Sequence, residues 1–190
     1  MSSHQHHDST SAEERRRRFE AIAAEIYEPL QRYLRRRASF HDADDVFEET
    51  LMTIWRRLDD VPADAVLPWS YGVAKRALAN HRRSVRRQGQ LVDRLKRQPH
   101  EQIQQPLGTD ASPELAAALE RLSVADREML RLWAWEDLEP REIAVVLGST
   151  ANAVSLRLTR AKKKLAHEME RQIRLDAGHR PVEHTKERPR

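Results

Sequence analysis

The sequence predicts an all-α protein made of two small helical domains joined by a flexible linker. Three observations carry this expectation. Only five of the 190 residues are glycine, and Arg, Ala, Leu and Glu dominate, which favours helix. Apolar residues recur at spacings of three and four in several separate segments. Between two such sets lies a stretch rich in glutamine with Gly89, Pro99, Pro106 and Gly108.

Residues 1–14 are polar and read as a disordered tail, with His4, His6 and His7 part of it. A first domain is expected over 15–87. Its first helix begins near Arg15, with Phe19, Ile22, Ile26, Leu30 and Tyr33 on one face. A second helix begins near Asp42, which with Asp45 resembles a capping box. Its apolar face is Phe47, Leu51, Ile54 and Leu58, and Trp55 beside them reads as core rather than contact. Asp59 to Leu67 reads as a loop, and Pro68 suits the first turn of a third helix. That helix carries Trp69, Val73, Ala74, Ala77 and Leu78 on one side and then turns basic.

Residues 88–111 read as the linker, with Leu91 to Arg97 able to extend the preceding helix. A second domain is expected over 112–168. Ser112-Pro113 is an N-cap followed by proline at the first helical position, with Leu115, Leu119 and Leu122 on one face. Ser123 and Asp126 form a capping-box pattern before Met129, Leu130, Leu132 and Trp133. Pro140 opens a short helix that Gly148 ends, and a last helix runs from about Thr150 past Leu165. Residues 169–190 read as a polar tail.

Charge is unevenly placed. The formal net charge is +4. Ser39 to Asp64 holds eight acids against two bases, whereas Lys75 to His100 holds nine bases against one acid and Thr150 to Arg174 seven against two. Two basic blocks and one acidic block suit a polyanion on one face and a protein on another, or simply solvated helix faces. No cysteine is present, which excludes disulfides and thiolate-bound metal and allows a cytoplasmic location. No apolar run approaches the roughly 20 residues of a membrane span, so membrane insertion is not expected. No Gly-rich phosphate loop, metal-spaced His/Asp cluster or catalytic triad is visible, so neither enzyme activity nor a cofactor is expected.

The sharpest motif runs from Pro140 to Leu165. Ile143, Ala144 and Leu147 on the short helix, the φ-permissive Gly148, and Val154 with Leu158 on the next fit a helix-turn-helix. The exposed start of its second helix offers Ser149, Thr150, Asn152, Ala153 and Ser155 to base edges, with Arg157, Arg160 and Lys163 nearer phosphate. An ordinary basic helical hairpin remains the alternative at this point.

Here the sequence resembles a known family. Leu119-Glu120-Arg121-Leu122-Ser123, Asp126-Arg127-Glu128, Glu142-Ile143-Ala144, Leu147-Gly148, Val154, Arg157-Leu158 and Arg160-Ala161 are similar to region four of extracytoplasmic-function sigma factors. That region binds the minus-thirty-five promoter element. Ala43-Asp44-Asp45-Val46 and Glu49-Thr50 resemble the polymerase-binding helix of region two. Trp69, Tyr71, Val73-Ala74 and Arg82-Arg83 resemble its minus-ten helix. Glu48, Ser70, Gly72, Arg76, Asn80, Ala153 and Leu156 depart from the usual pattern, and a mid-helix glycine costs on the order of 1 kcal/mol against alanine.

The resemblance implies a sigma factor that binds core RNA polymerase, recognises promoter DNA and helps melt it, with an anti-sigma factor as a further partner in some members. Asp45, Glu48, Glu49, Met52 and Arg56 would face polymerase. Asp60, Val61 and Ala63 in the loop would line a pocket for a flipped base. Trp69 would stack on a base or anchor the helix, and Lys75, Arg76, Asn80, Arg82 and Arg83 would hold the melting backbone. A helix-turn-helix regulator that is not a polymerase subunit explains residues 113–167 equally well. It leaves the acidic helix and the tryptophan-led basic helix unexplained.

Overall fold

The computed structural model describes residues 3–96 and 112–178, with side chains over 11–88 and 112–174. Seven α-helices and one 3-10 turn follow in order, and no strand occurs among the described residues. The N-terminal half comprises α1 (Ser3–Arg35), α2 (Phe40–Arg56), the 3-10 turn Leu58–Asp60 and α3 (Val66–Lys96). The C-terminal half comprises α4 (Pro113–Glu120), α5 (Val124–Ala134), α6 (Pro140–Leu147) and α7 (Ala151–Gly178).

The first helix starts well before Arg15, at Ser3. From Ala12 onward good helix formers follow one another, and Glu13 pairs with Arg16 and Arg17 one turn on. The expected face holds: Ile22, Ile26, Leu30 and Tyr33 are buried, and Phe19 packs against them. The second helix is capped by Ser39 rather than by Asp42. The Ser39 hydroxyl accepts from the Asp42 amide at 3.2 Å and donates to its carboxylate at 2.7 Å. The Ser39 hydroxyl and then His81, whose Nε2 lies 2.8 Å from Asp42, hold the Asp42 carboxyl below its ordinary range. The third helix absorbs the start of the expected linker and runs to Lys96; the rest of the linker lies outside the described residues.

In the C-terminal half the local signals act as written. Ser112 and Ser123 each accept from the amide three residues on. Gly148 takes φ +62°, the left-handed conformation that ends α6. The last helix continues through the first part of the expected polar tail to Gly178. Trp133 departs from expectation: it stays partly exposed, with Lys162 Nζ 3.3 Å from its ring centre.

Nothing in the sequence pattern announced the packing between halves. The third helix packs on α6 as well as on α1 and α2, so the two cores form one continuous apolar cluster. Gly72 lies at this contact: a Cβ there would sit 3.6 Å from the Val146 Cα, an ordinary van der Waals distance. Val146 is buried in this contact.

Candidate nucleic-acid and protein interfaces

The acidic helix presents one clean stripe. Asp45, Glu48, Glu49, Met52 and Arg56 are all exposed, and spacings of three and four place them on one side of α2. The opposite side buries Ala43, Val46, Phe47, Thr50 and Ile54. Trp55 is not the core residue expected. It is 39% exposed, meets Phe19 edge-on at 5.2 Å and carries the Arg15 guanidinium 5.3 Å above its ring. With Phe19, Leu51, Met52 and Arg56 it lines a shallow apolar groove beside the acidic stripe. Its place one turn from Met52 and next to Arg56 was the signal for this.

The loop after α2 is only partly as expected. Asp60 and Ala63 are exposed, and Asp60 accepts from Arg57 Nε at 2.9 Å. Val61 turns inward and is 4% exposed, because the 3-10 turn points it at the core; its carbonyl accepts from Arg18 at 3.1 Å. Trp69 is half-buried, packed on the core with Arg57 above its ring. Along α3, Arg76, Asn80 and Arg83 are exposed, and Asn80 accepts from Arg83. Lys75 and Arg82 are half-buried. Arg82 donates to the Arg37 carbonyl at 2.6 Å, and burial lowers its pKa.

In the C-terminal half, Ser149, Asn152, Ala153, Ser155, Arg160 and Lys163 are exposed along the start and outer side of α7. Thr150 serves as the helix cap, its hydroxyl accepting from the Ala153 amide at 3.3 Å. Arg157 Nε donates to Asp126 at 2.8 Å, and Lys164 reaches the other oxygen at 3.2 Å. Burial works to raise the Asp126 pKa, but hydrogen bonds from Arg157, Ser123 and Lys164 outweigh it and hold the carboxyl below its ordinary range.

The two basic surfaces meet. Lys75, Ala79 and Arg82 from α3 and Ser149, Ala153 and Arg157 from the turn and α7 line a single cleft of about 1170 Å³ between the halves. Arg37, 2% exposed, closes its floor. Its Nη1 donates to Glu136 at 2.8 Å and its Nε to Glu128 at 3.1 Å. Burial alone would lower the Arg37 pKa; the facing Tyr33, Glu128 and Glu136 raise it. Arg36 adds bonds to Glu136 and to the Trp135 carbonyl. No group of side chains suited to holding a metal ion occurs among the described residues, and no described helix is long and apolar enough to cross a membrane.

Comparison with known proteins places this geometry. Residues 19–88 match the family Sigma-70 region 2, and residues 112–165 match Sigma-70, region 4. The chain is 30% identical over 132 residues to the RNA polymerase sigma factor NccH of Alcaligenes xylosoxydans xylosoxydans, covering 65% of this chain and 71% of that protein. Among solved structures it is similar to CnrH in complex with the cytosolic domain of CnrY, at 25% identity and a TM-score of 0.53 over 84% of this chain and 88% of that one. The sigma factor RpoE in complex with the anti-sigma factor NepR from Bartonella quintana shares the fold, at 20% identity and a TM-score of 0.57 over 80% of this chain and 96% of that one. Two regions in the family's order, a relative matched over 71% of its length and a shared all-α architecture agree with the exposed acidic stripe and the helix-turn-helix. The chain belongs to the extracytoplasmic-function family of RNA polymerase sigma factors, which direct polymerase to promoters.

Proposed function

We propose a division of labour among named surfaces. The stripe Asp45, Glu48, Glu49, Met52 and Arg56, with the apolar groove beside it, docks on core polymerase. Asn152, Ala153, Ser149 and Ser155 read the upstream element, while Arg160 and Lys163 hold its phosphates. Asp60, Ala63 and Trp69 border the site of base capture, and Lys75, Arg76, Asn80, Arg82 and Arg83 hold the melted backbone. The protein works in the cytoplasm by binding alone, without catalysis or a cofactor. An anti-sigma factor is its regulatory partner class, by analogy with the complex of RpoE and NepR.

The observation that carries this reading is the stripe on α2. Its acids flank the exposed Met52 and the apolar groove of Phe19, Leu51 and Trp55, and an exposed apolar patch rimmed by charge is the kind of surface that another protein covers. The test is transcription by core polymerase with and without this chain on fragmented genomic DNA, with transcript 5′ ends sequenced. A shared pair of elements upstream of the new starts is expected. Operator-like DNA binding with no new transcripts would sink the reading in favour of a plain regulator.

A further inference from the structure

The cleft between the halves gathers more positive charge than its carboxylates balance. Arg37, Lys75, Arg82, Arg127, Arg131 and Arg157 line it, against Glu120 and Glu128. Arg157 is paired with Asp126, and Arg37 with Glu128 and Glu136. Glu136 is shared with Arg36. Among the described residues, Arg82 and Arg127 bond only to backbone carbonyls. Arg131 lies over the Trp135 ring at 5.3 Å and makes no hydrogen bond among them. It is 6% exposed, and its Nε has no partner. Neither has Nη2 of Arg37, which is 2% exposed, nor Nε of Arg127. Buried donors left unmet are rare and call for a cause. The arginines also repel one another. Burial lowers the Arg131 pKa, and Arg37, Arg127 and Arg82 push it the same way, with Glu128 opposing. A guanidinium keeps its proton in a protein, so this crowding persists as uncompensated charge.

We propose that the cleft binds a compact multivalent anion of the phosphate class, held by Arg127 and Arg131 of α5 with Arg37 at the floor. The donors are guanidinium forks, whose paired N–H groups match two oxygens of one phosphate. A single carboxylate brings one charge, whereas linked phosphates bring enough to meet several guanidiniums at once. The half-enclosed walls keep out much of the water that would weaken the attraction. A DNA duplex is too wide to reach a floor residue that is 2% exposed in a cleft of about 1170 Å³, which favours a small anion over the promoter backbone. Two sources share this chemistry, an inorganic polyphosphate and the phosphate chain of a nucleotide. Either would touch both halves, because Arg37 precedes α2 while Arg127 and Arg131 lie on α5. Bound ligand therefore stabilises the folded chain, more so as its concentration rises above Kd.

The test is isothermal titration calorimetry of the full chain with inorganic tripolyphosphate, ATP and sulfate at about 0.1 M salt. Tripolyphosphate is expected to bind one to one with a Kd below about 1 mM, and to raise Tm as its concentration rises. ATP binding more tightly than tripolyphosphate would assign the site to a nucleotide, and the reverse order to a free polyphosphate. Sulfate should bind at least about tenfold more weakly than either, because it meets fewer of the forks. Arg131→Gln should weaken tripolyphosphate at least about tenfold, while Lys163→Gln on the outer side of α7 should leave it unchanged. Circular dichroism checks that Arg131→Gln still folds. Should it not, Arg131→Lys, which keeps the charge and loses the fork, should weaken binding several-fold. Absence of binding overturns the proposal, and so does sulfate binding as tightly as tripolyphosphate. Equal losses in Arg131→Gln and Lys163→Gln overturn it as well, since the anion would then see only diffuse surface charge, as does unchanged affinity in Arg131→Gln or Arg131→Lys.

Discussion

Arg37 and Glu136 are 99 residues apart in the chain and 2.8 Å apart in the structure, each with a side chain only 2% exposed. Removing one member of a buried ion pair typically costs about 3–5 kcal/mol where the other must stay buried. Parting of the halves would let Arg37 reach water, which caps the loss at the free energy of the interface itself. Glu136→Gln should therefore leave each half folded while uncoupling them. Urea unfolding followed by far-UV circular dichroism and by tryptophan fluorescence should coincide in the unaltered chain and separate in the variant. Coincident curves in both would mean the pair does not couple the halves.

Reversing Glu48 and Glu49 to lysine should weaken core polymerase binding by at least about tenfold without changing helical content, because charge reversal at a complementary interface replaces attraction by repulsion. A titration of labelled core enzyme reads the affinity. An unchanged Kd would remove the α2 stripe as the docking surface.

Asn152 and Lys163 separate reading from holding. Asn152→Ala should cost roughly 1–3 kcal/mol at the preferred upstream element and relax sequence preference there. Lys163→Ala should weaken binding about equally on all sequences and lower the salt slope by about one unit. Anisotropy titrations with residues 112–178 and the full chain, on matched and scrambled duplexes across a salt series, distinguish the two. Equal losses for both variants on both duplexes would make α7 an electrostatic surface only.

Acid should act on the C-terminal half through Asp126. Its folded pKa is depressed, so its stabilising effect is complete above the ordinary carboxylate pKa of about 3.9 and is lost as pH falls through the folded value. Asp126→Asn should lower Tm at pH 7, and the difference from the unaltered chain should shrink as pH drops from about 5 towards 2. A difference that stays constant with pH would mean that the charge of Asp126 contributes nothing.

Gly148→Ala should cost about 1 kcal/mol. A Cβ there meets nothing within 4 Å, so only the left-handed backbone is penalised. A much larger loss in thermal melts would point to a contact that the turn does not show.

Local chemistry explains which features could be read from the residues. Ser112, Ser123 and Gly148 act on neighbours one turn away, so their caps and stop were visible, as was the burial of Ile143, Val154 and Leu158. The exposed stripe on α2 followed from its acids. Arg37 was invisible because it closes the run Arg35-Arg36-Arg37, which reads as solvated charge until Glu128 and Glu136 arrive from the other half. Val61 went the opposite way to expectation because the 3-10 turn at Leu58–Asp60 reorients the chain by an amount no helical period encodes. Trp55 lies inside α2, and its helical place beside Met52 and Arg56 is what puts it at the surface.

The distance in sequence between Arg37 and its partners also sets an order of events during synthesis. The ion pairs close loops of 91 and 99 residues, whereas the caps and helix pairs of each half close within one half. At about 5–20 residues per second, a ribosome takes some 5–20 s to add the residues between Arg37 and Glu136. For that interval the side of α3 around Gly72, which α6 covers in the folded chain, has no second half to pack against. A newly made chain thus passes once in its life through a form in which this face of α3 is uncovered.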